Sequence, residues 1–161
     1  MAARGRSAGL LAFRRRPEGP EFLLVHPGGP FWRKRDDGAW SIPKGLIDDA
    51  EPELAAAVRE FEEEVGLAAG GDFQRLADQR QPSGKLVLCW LVEADLDLSG
   101  FRSNTFELEW PPKSGRTAVF PECDQAAYFN AGAARQKLLP GQRGFIEEAL
   151  ARLEERRPGS A

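Results

Sequence analysis

The chain has 161 residues, 42% of them hydrophobic and 29% charged, which suits one soluble domain with its own core. A net charge of −3 and a pI near 5.4 argue against general nucleic-acid binding, which needs a basic surface, although a small basic pocket for phosphates remains compatible. Two separated cysteines, Cys89 and Cys123, exclude a disulfide scaffold and a zinc knuckle. No apolar run is long enough to span a bilayer. Gly9–Phe13 is too short, and too soon followed by Arg14–Arg16, for a secretory leader. A cytoplasmic location is the expectation.

In chain order, residues 7–13 read as a buried strand, and Pro17-Glu18-Gly19-Pro20 as a turn. Phe22–His26 is a second strand, paired with the first as a hairpin. Residues 31–45 form a long loop rich in aromatics and charges, a composition that often carries function.

The clearest helix follows. Pro52 suits its first turn, and Asp48, Asp49 and Glu51 place negative charge at its N-terminal end. Leu54, Val58, Phe61 and Val65 make one apolar stripe, and Gly66 fits the position after the last turn. Phe73–Gln81 and Leu86–Glu93 read as strands joined by Pro82-Ser83-Gly84-Lys85. Thr105–Trp110 is a strand with Glu107 and Glu109 on one face, and Ala126–Phe129 is a short strand. Gly141–Arg156 is an amphipathic helix with Phe145, Ile146, Ala149, Leu150 and Leu153 inward. Residues 1–161 are expected to form a single domain, frayed at 1–5 and 157–161. The order of elements predicts an α/β sandwich with a mixed sheet.

On the first helix, Glu60, Glu63 and Glu64 stand at i, i+3 and i+4 and share a face away from the apolar stripe. Three carboxylates repel one another, and at a helix C-terminus the macrodipole opposes them further. A compensating cation is implied, and oxygen-only ligands suit Mg²⁺ or Mn²⁺. The bland alternative is a solvated acidic face.

The spacing favours the metal. Gly45, five residues, Glu51, seven residues, then Arg59-Glu60-Phe61-Glu62-Glu63-Glu64-Val65-Gly66-Leu67 resembles the Nudix box at every specified position. Trp40-Ser41-Ile42-Pro43-Lys44-Gly45 is similar to the lead-in of many members. The resemblance implies a Nudix-like α/β/α sandwich and a Mg²⁺-dependent hydrolase, with Mn²⁺ as the other usable ion. Its substrate would contain a nucleoside diphosphate linked to another group. It implies that Glu60, Glu63, Glu64 and the Gly45 carbonyl hold the metal, while Glu51 and Arg59 support and orient the helix. The general base is a box glutamate or a loop glutamate, Glu122 first, then Glu107 and Glu109.

Lys44 can neutralise a phosphate, Arg33, Lys34 and Arg35 can extend that pocket, and Trp32 or Trp40 can stack on a base. For Trp40 a core anchor is an equal alternative, and His26 reads as a packed, satisfied histidine. Substrate hints conflict. Pro43-Lys44-Gly45 resembles members acting on dinucleoside polyphosphates and diphosphoinositols. Pro82, fifteen residues past the box, resembles ADP-ribose hydrolases. The tyrosine of many diadenosine polyphosphate hydrolases is absent, since the single tyrosine is Tyr128. The expected partner is a small nucleotide or related diphosphate, with neither nucleic acid nor membrane. A non-catalytic nucleotide sensor on the same fold is the alternative.

Overall fold

The computed structural model describes residues 5–155. Its chain order is β1 (Arg6–Arg16), β2 (Gly19–Pro27), β3 (Lys44–Leu46), α1 (Glu53–Val65), β4 (Gln74–Arg75), β5 (Gln79–Arg80), β6 (Leu86–Glu93), β7 (Thr105–Glu109), β8 (Thr117–Pro121), β9 (Cys123–Asn130), α2 (Ala131–Lys137) and α3 (Arg143–Glu155). Strand order across the main sheet is β4-β6-β1-β2-β9, with β3 also on β1 and β5 on β6. The sheet is mixed: β1 and β6 run parallel, and the other pairings are antiparallel. The expected hairpin is present, with Phe13 opposite Phe22.

β1, β2 and β6 read as continuous apolar runs because both faces of the sheet are covered. Alternate residues divide between two cores. Ala8, Leu10, Ala12, Leu23, Val25, Leu88 and Trp90 meet Ala56, Ala57, Phe61 and Val65 of α1. Leu11, Phe13, Phe22, Leu24, Val87, Cys89 and Leu91 meet Ala134 of α2 and Phe145, Ile146, Ala149 and Leu153 of α3. The result is the expected three-layer α/β/α sandwich.

Several boundaries differ from expectation. Pro52 caps α1 rather than entering it, and Leu54 and Val58 are only partly buried, the deepest positions being Ala56, Ala57, Phe61 and Val65. The strand expected over Phe73–Gln81 is two short ladders on β6. Three residues, 76–78, stand against two of β6 between them, so the register slips by one. β9 extends the short strand expected at Ala126–Phe129 to Cys123–Asn130, because its ladder with β2 also orders polar Asp124 and Gln125. β8 pairs with β7 in a separate ribbon. α2 begins at Asn130, whose side chain accepts from the Ala133 amide at 2.8 Å. α3 starts at Arg143, after a 3₁₀ turn over Pro140–Gln142, and Leu150 is partly buried. Arg156 and the ends expected to fray lie outside the described residues, except Gly5, which sits in a turn.

Candidate active site on the acidic helix

α1 presents its acidic face toward β3, which lies along β1. Arg59 organises it. Its Nε and Nη2 donate to the two oxygens of Glu51 at 2.8 and 3.0 Å, and Nη2 also donates to the Leu46 carbonyl at 3.2 Å. Nη1 donates to Glu60 at 2.8 Å and to Glu63 at 3.2 Å. One planar fork thus binds the loop preceding the helix to two of its acids. The Arg59 guanidinium holds the Glu51 carboxyl below the usual carboxylate range. Glu51 Oε1 also accepts from the Asp48 amide at 3.1 Å, which fixes the turn into α1.

Gly45 lies directly under Glu60, and a Cβ there would collide with the Glu60 carboxylate. The next amide back, that of Lys44, donates to Glu64 Oε1 at 3.2 Å. β3 therefore carries Lys44 and Gly45 against the inner side of the acidic cluster, held there by its ladder with Ser7, Ala8 and Gly9 of β1.

Burial raises the pKa of Glu64 to about 7; Lys44 opposes this shift, and the Glu60 and Glu122 charges add to it. Glu60 is raised by burial, against the pull of Arg59, with Glu63 and Glu122 adding to the rise. Both residues feel Glu122, so the loop glutamate preferred from the sequence does stand beside the helix. Glu107 and Glu109 do not: both are exposed on β7, and Glu109 accepts from the Lys113 amide at 3.2 Å.

A run of backbone bonds places Glu122. The Asn104 amide donates to the Glu63 carbonyl at 2.8 Å, the Glu122 amide to Asn104 at 2.7 Å, and the Gly28 amide to Glu122 at 2.8 Å. The Arg102 amide meets Val65 at 2.8 Å, so the chain after β6 also caps the last carbonyls of α1, which has no basic residue in its last turn. Gly66 takes φ 77°, and a Cβ there would strike the Arg102 backbone.

Among the described residues, no three Asp, Glu, His or Cys side chains form a ready-made metal cluster. Arg59 draws Glu60 and Glu63 to itself. The donors still fit a hard divalent cation: they are oxygens only, and burial raises Glu60 and Glu64, with the Glu122 charge adding to both. The space that Gly45 leaves brings its backbone up against Glu60.

Lys44, Glu64, Glu122, Cys123 and Trp32 line a cleft of about 190 Å³, closed on its apolar side by Val25, Pro27 and Leu139. Cys123 was not expected here. It is buried, and burial and the neighbouring Glu64 carboxylate raise its thiol, so it is an inert wall. Trp32 is half-buried at this cleft, whereas Trp40 is buried as a core anchor, edge-on to His26 and Phe129, with Nε1 donating to Asp36 at 2.8 Å. Arg33 is exposed and borders a second pocket. His26 is packed and satisfied, as expected. Pro82 sits in the β5–β6 turn, and Tyr128 donates to the Ala94 carbonyl at 2.6 Å, a structural bond.

Gln142 also escaped the sequence reading. Fully buried, it accepts from the Ile42 amide at 2.9 Å and donates to Ser41 Oγ at 3.0 Å, pinning the segment that leads into Lys44. Its signal was present: Gln142, Phe145, Ile146 and Ala149 share a helical stripe.

The described residues contain no helix long and apolar enough to cross a membrane. Known proteins resemble the chain at three levels. The asymmetrical bis(5′-nucleosyl)-tetraphosphatase of Sus scrofa is 33% identical over 100 residues, covering 55% of this chain and 64% of that protein. Nudix hydrolase 7 of Arabidopsis thaliana is 28% identical over 100 residues, covering 57% of this chain and 34% of that protein. The chain thus spans about a third of one relative and just under two thirds of the other. In fold it resembles a C. elegans Ap4A hydrolase in a binary complex, at TM-score 0.62 and 21% identity over 91% of this chain and 97% of that one. It also resembles the NUDIX domain of Shewanella oneidensis NrtR complexed with ADP ribose, at TM-score 0.64 and 15% identity over 95% and 90%. The family model for the NUDIX domain matches residues 3–149, and the chain belongs to the Nudix family.

Proposed function

We propose that the chain is a single Nudix domain acting as a divalent-metal-dependent nucleotide pyrophosphohydrolase, in which water attacks one phosphorus of a nucleoside diphosphate linked to another group. The observation that carries this reading is the placing of Glu64 and Glu122 at one cleft beside Lys44, with Glu60 of the same helix against Gly45 and both helix acids raised by burial and by the Glu122 charge. Such a concentration of negative charge is costly unless a cation joins it. Glu60, Glu63, Glu64 and the Gly45 carbonyl would hold Mg²⁺, or Mn²⁺. When bound, such an ion screens phosphate charge and lowers the pKa of a coordinated water.

The chain's own groups supply the rest. Arg59 orients Glu60 and Glu63 while Glu51 holds Arg59 in place. Glu122, in the cleft but outside the helix, is the group best placed to take the proton of the attacking water. Lys44 neutralises a phosphate oxygen, Trp32 offers a ring face for a base, and Arg33 binds charge further out. The packing of Trp40 supports the anchor role, acting on the substrate through the loop it holds. The tetraphosphatase activity named for one relative and the ADP ribose bound to one fold neighbour favour a nucleoside polyphosphate or ADP-ribose type of substrate. Cys89 and Cys123, both free and buried, suit the cytoplasm.

The test is turnover of a panel of nucleoside triphosphates, dinucleoside polyphosphates and ADP-ribose with Mg²⁺, with an EDTA control. Cleavage that stops with EDTA, and falls by orders of magnitude in Glu63→Gln or Glu64→Gln, is expected. No turnover with Mg²⁺ or Mn²⁺, together with ligand binding, would replace this reading with a nucleotide sensor.

A further inference from the structure

Glu122 stands between two ladders. The β7–β8 ladder ends with Thr105 opposite Pro121, and the β2–β9 ladder is irregular where Pro27 meets Cys123. Neither ladder includes Glu122, and the residue is exposed, so neither strand pairing nor close packing fixes it.

Its backbone is nevertheless bound on every side. The Glu122 amide donates to the Asn104 carbonyl at 2.7 Å, and the Glu122 carbonyl accepts from the Gly28 amide at 2.8 Å. The next amide, that of Cys123, donates to Ser103 Oγ at 2.9 Å. Both peptide planes that flank the Glu122 Cα are therefore held, and together they set the direction in which its side chain leaves the chain.

Ser103 closes this arrangement. While its hydroxyl oxygen accepts from Cys123, its one proton goes to the Asn104 carbonyl at 2.9 Å, the same oxygen that receives the Glu122 amide. The segment is tied in turn to α1. The Arg102 amide donates to the Val65 carbonyl and the Asn104 amide to the Glu63 carbonyl, both at 2.8 Å. Glu122 is thereby referenced to the helix that carries Glu60, Glu63 and Glu64. On their other side Arg102, Ser103 and Asn104 line an open pocket of about 430 Å³, so packing does not support the segment there. Hydrogen bonds hold it, and Ser103 supplies the one side chain among them. Ser103 borders this outer pocket rather than the cleft, so it acts through Glu122 and not on the substrate. A displacement of about 1 Å in a reacting group can cost roughly a hundredfold in rate.

We infer that Ser103 is a positioning residue for the reaction: its hydroxyl, set between the Cys123 amide and the Asn104 carbonyl, fixes Glu122 relative to the acidic helix. The effect on catalysis rests on the proposed hydrolase reading; the placement of Glu122 does not.

The test has two arms, both on the intact protein. The first is amide hydrogen exchange read by NMR in Ser103→Ala and Ser103→Thr. Ser103→Ala is expected to exchange at least about tenfold faster at Cys123, with α1 as protected as in the parent. Ser103→Thr keeps the hydroxyl, has room for its methyl group in the outer pocket, and should restore the slow exchange. Parent-like exchange in Ser103→Ala would overturn the inference.

The second arm is turnover. Ser103→Ala should lower kcat by about 10–100-fold and leave KM unchanged, and Ser103→Thr should recover most of the rate. In a Glu122→Gln background Ser103→Ala should cost nothing further, because the group that it positions is already gone. An equal loss in that background, a rise in KM in place of the fall in kcat, or parent-like kcat in Glu122→Gln would overturn the positioning role. If the parent itself turns nothing over, the hydrolase reading fails, and the exchange arm still decides whether Ser103 holds Glu122.

Discussion

Arg59 holds Glu51 by two near-parallel bonds of 2.8 and 3.0 Å, and the same guanidinium reaches Glu60 at 2.8 Å. Glu51 precedes the helix and Glu60 lies within it, so this residue fixes the angle at which the acidic face meets β3. Lysine carries the charge but not the fork. Arg59→Lys is expected to lower kcat by roughly 10–100-fold with little change in melting temperature, the size usual for a group that orients metal ligands. Parent-like kcat in Arg59→Lys would remove the orienting role.

Gly45 makes a sharper case, because its hydrogen is the reason that Glu60 can lie against β3. A methyl group there overlaps the Glu60 carboxylate and not backbone, so the side chain swings away and the strand survives. Gly45→Ala is expected to raise the Mg²⁺ concentration for half-maximal activity by roughly 10–100-fold, with unfolding unchanged in EDTA. An unaltered metal titration would show that Glu60 does not need its present position.

How much of this was legible beforehand varies with how local the cause is. α1, its acidic face and Gly45 were readable because helical spacing and one box of 23 residues encode them within a short stretch. β1, β2 and β6 were readable from their apolar runs. α2 was not, because Ala131–Lys137 is short and shows little apolar periodicity; only Asn130 marked its start. β8 was hidden because its partner β7 lies across a turn already rich in breakers, and the ribbon packs outside the main sheet. Glu122 was one of three candidate glutamates, with Glu107 and Glu109 of β7, and it stands beside α1 through backbone bonds that run by way of Asn104 to Glu63. That relay uses main-chain atoms, which leave no trace in residue identity.

Gln142 illustrates a buried polar group whose partners are all in one distant segment. Gln142→Leu fits the space but orphans the Ile42 amide and removes the bond to Ser41. The expected loss is about 1–3 kcal/mol, seen as a melting temperature lower by several degrees. Activity should fall with it, because residues 41–42 set the position of Lys44 and Gly45. A variant that melts with the parent would mean that water or a rearranged Ser41 satisfies Ile42.

The buried acid of the cleft gives a pH dependence with a definite sign. In metal-free protein Glu64 has a folded pKa of about 7 against an ordinary 4.5. Below about 4.5 both states carry the proton and its contribution to stability is complete. As pH rises from there, the unfolded chain releases the proton before the folded one does, and stability falls until pH passes about 7. The loss is at most on the order of 3 kcal/mol. Glu64→Gln cannot ionise, so comparing its melting curves with the parent's isolates this group from Glu60, which is shifted the same way. In EDTA the two should melt together near pH 4.5, and the variant should be the more stable at pH 8. Adding Mg²⁺ at pH 8 should then raise the parent's melting temperature more than the variant's, because a cation held by the ionised carboxylate binds only the folded state. If the parent and Glu64→Gln keep a constant separation from pH 4.5 to 8 in EDTA, Glu64 is not a strained acid awaiting a cation, and the electrostatic case for metal at this cleft fails.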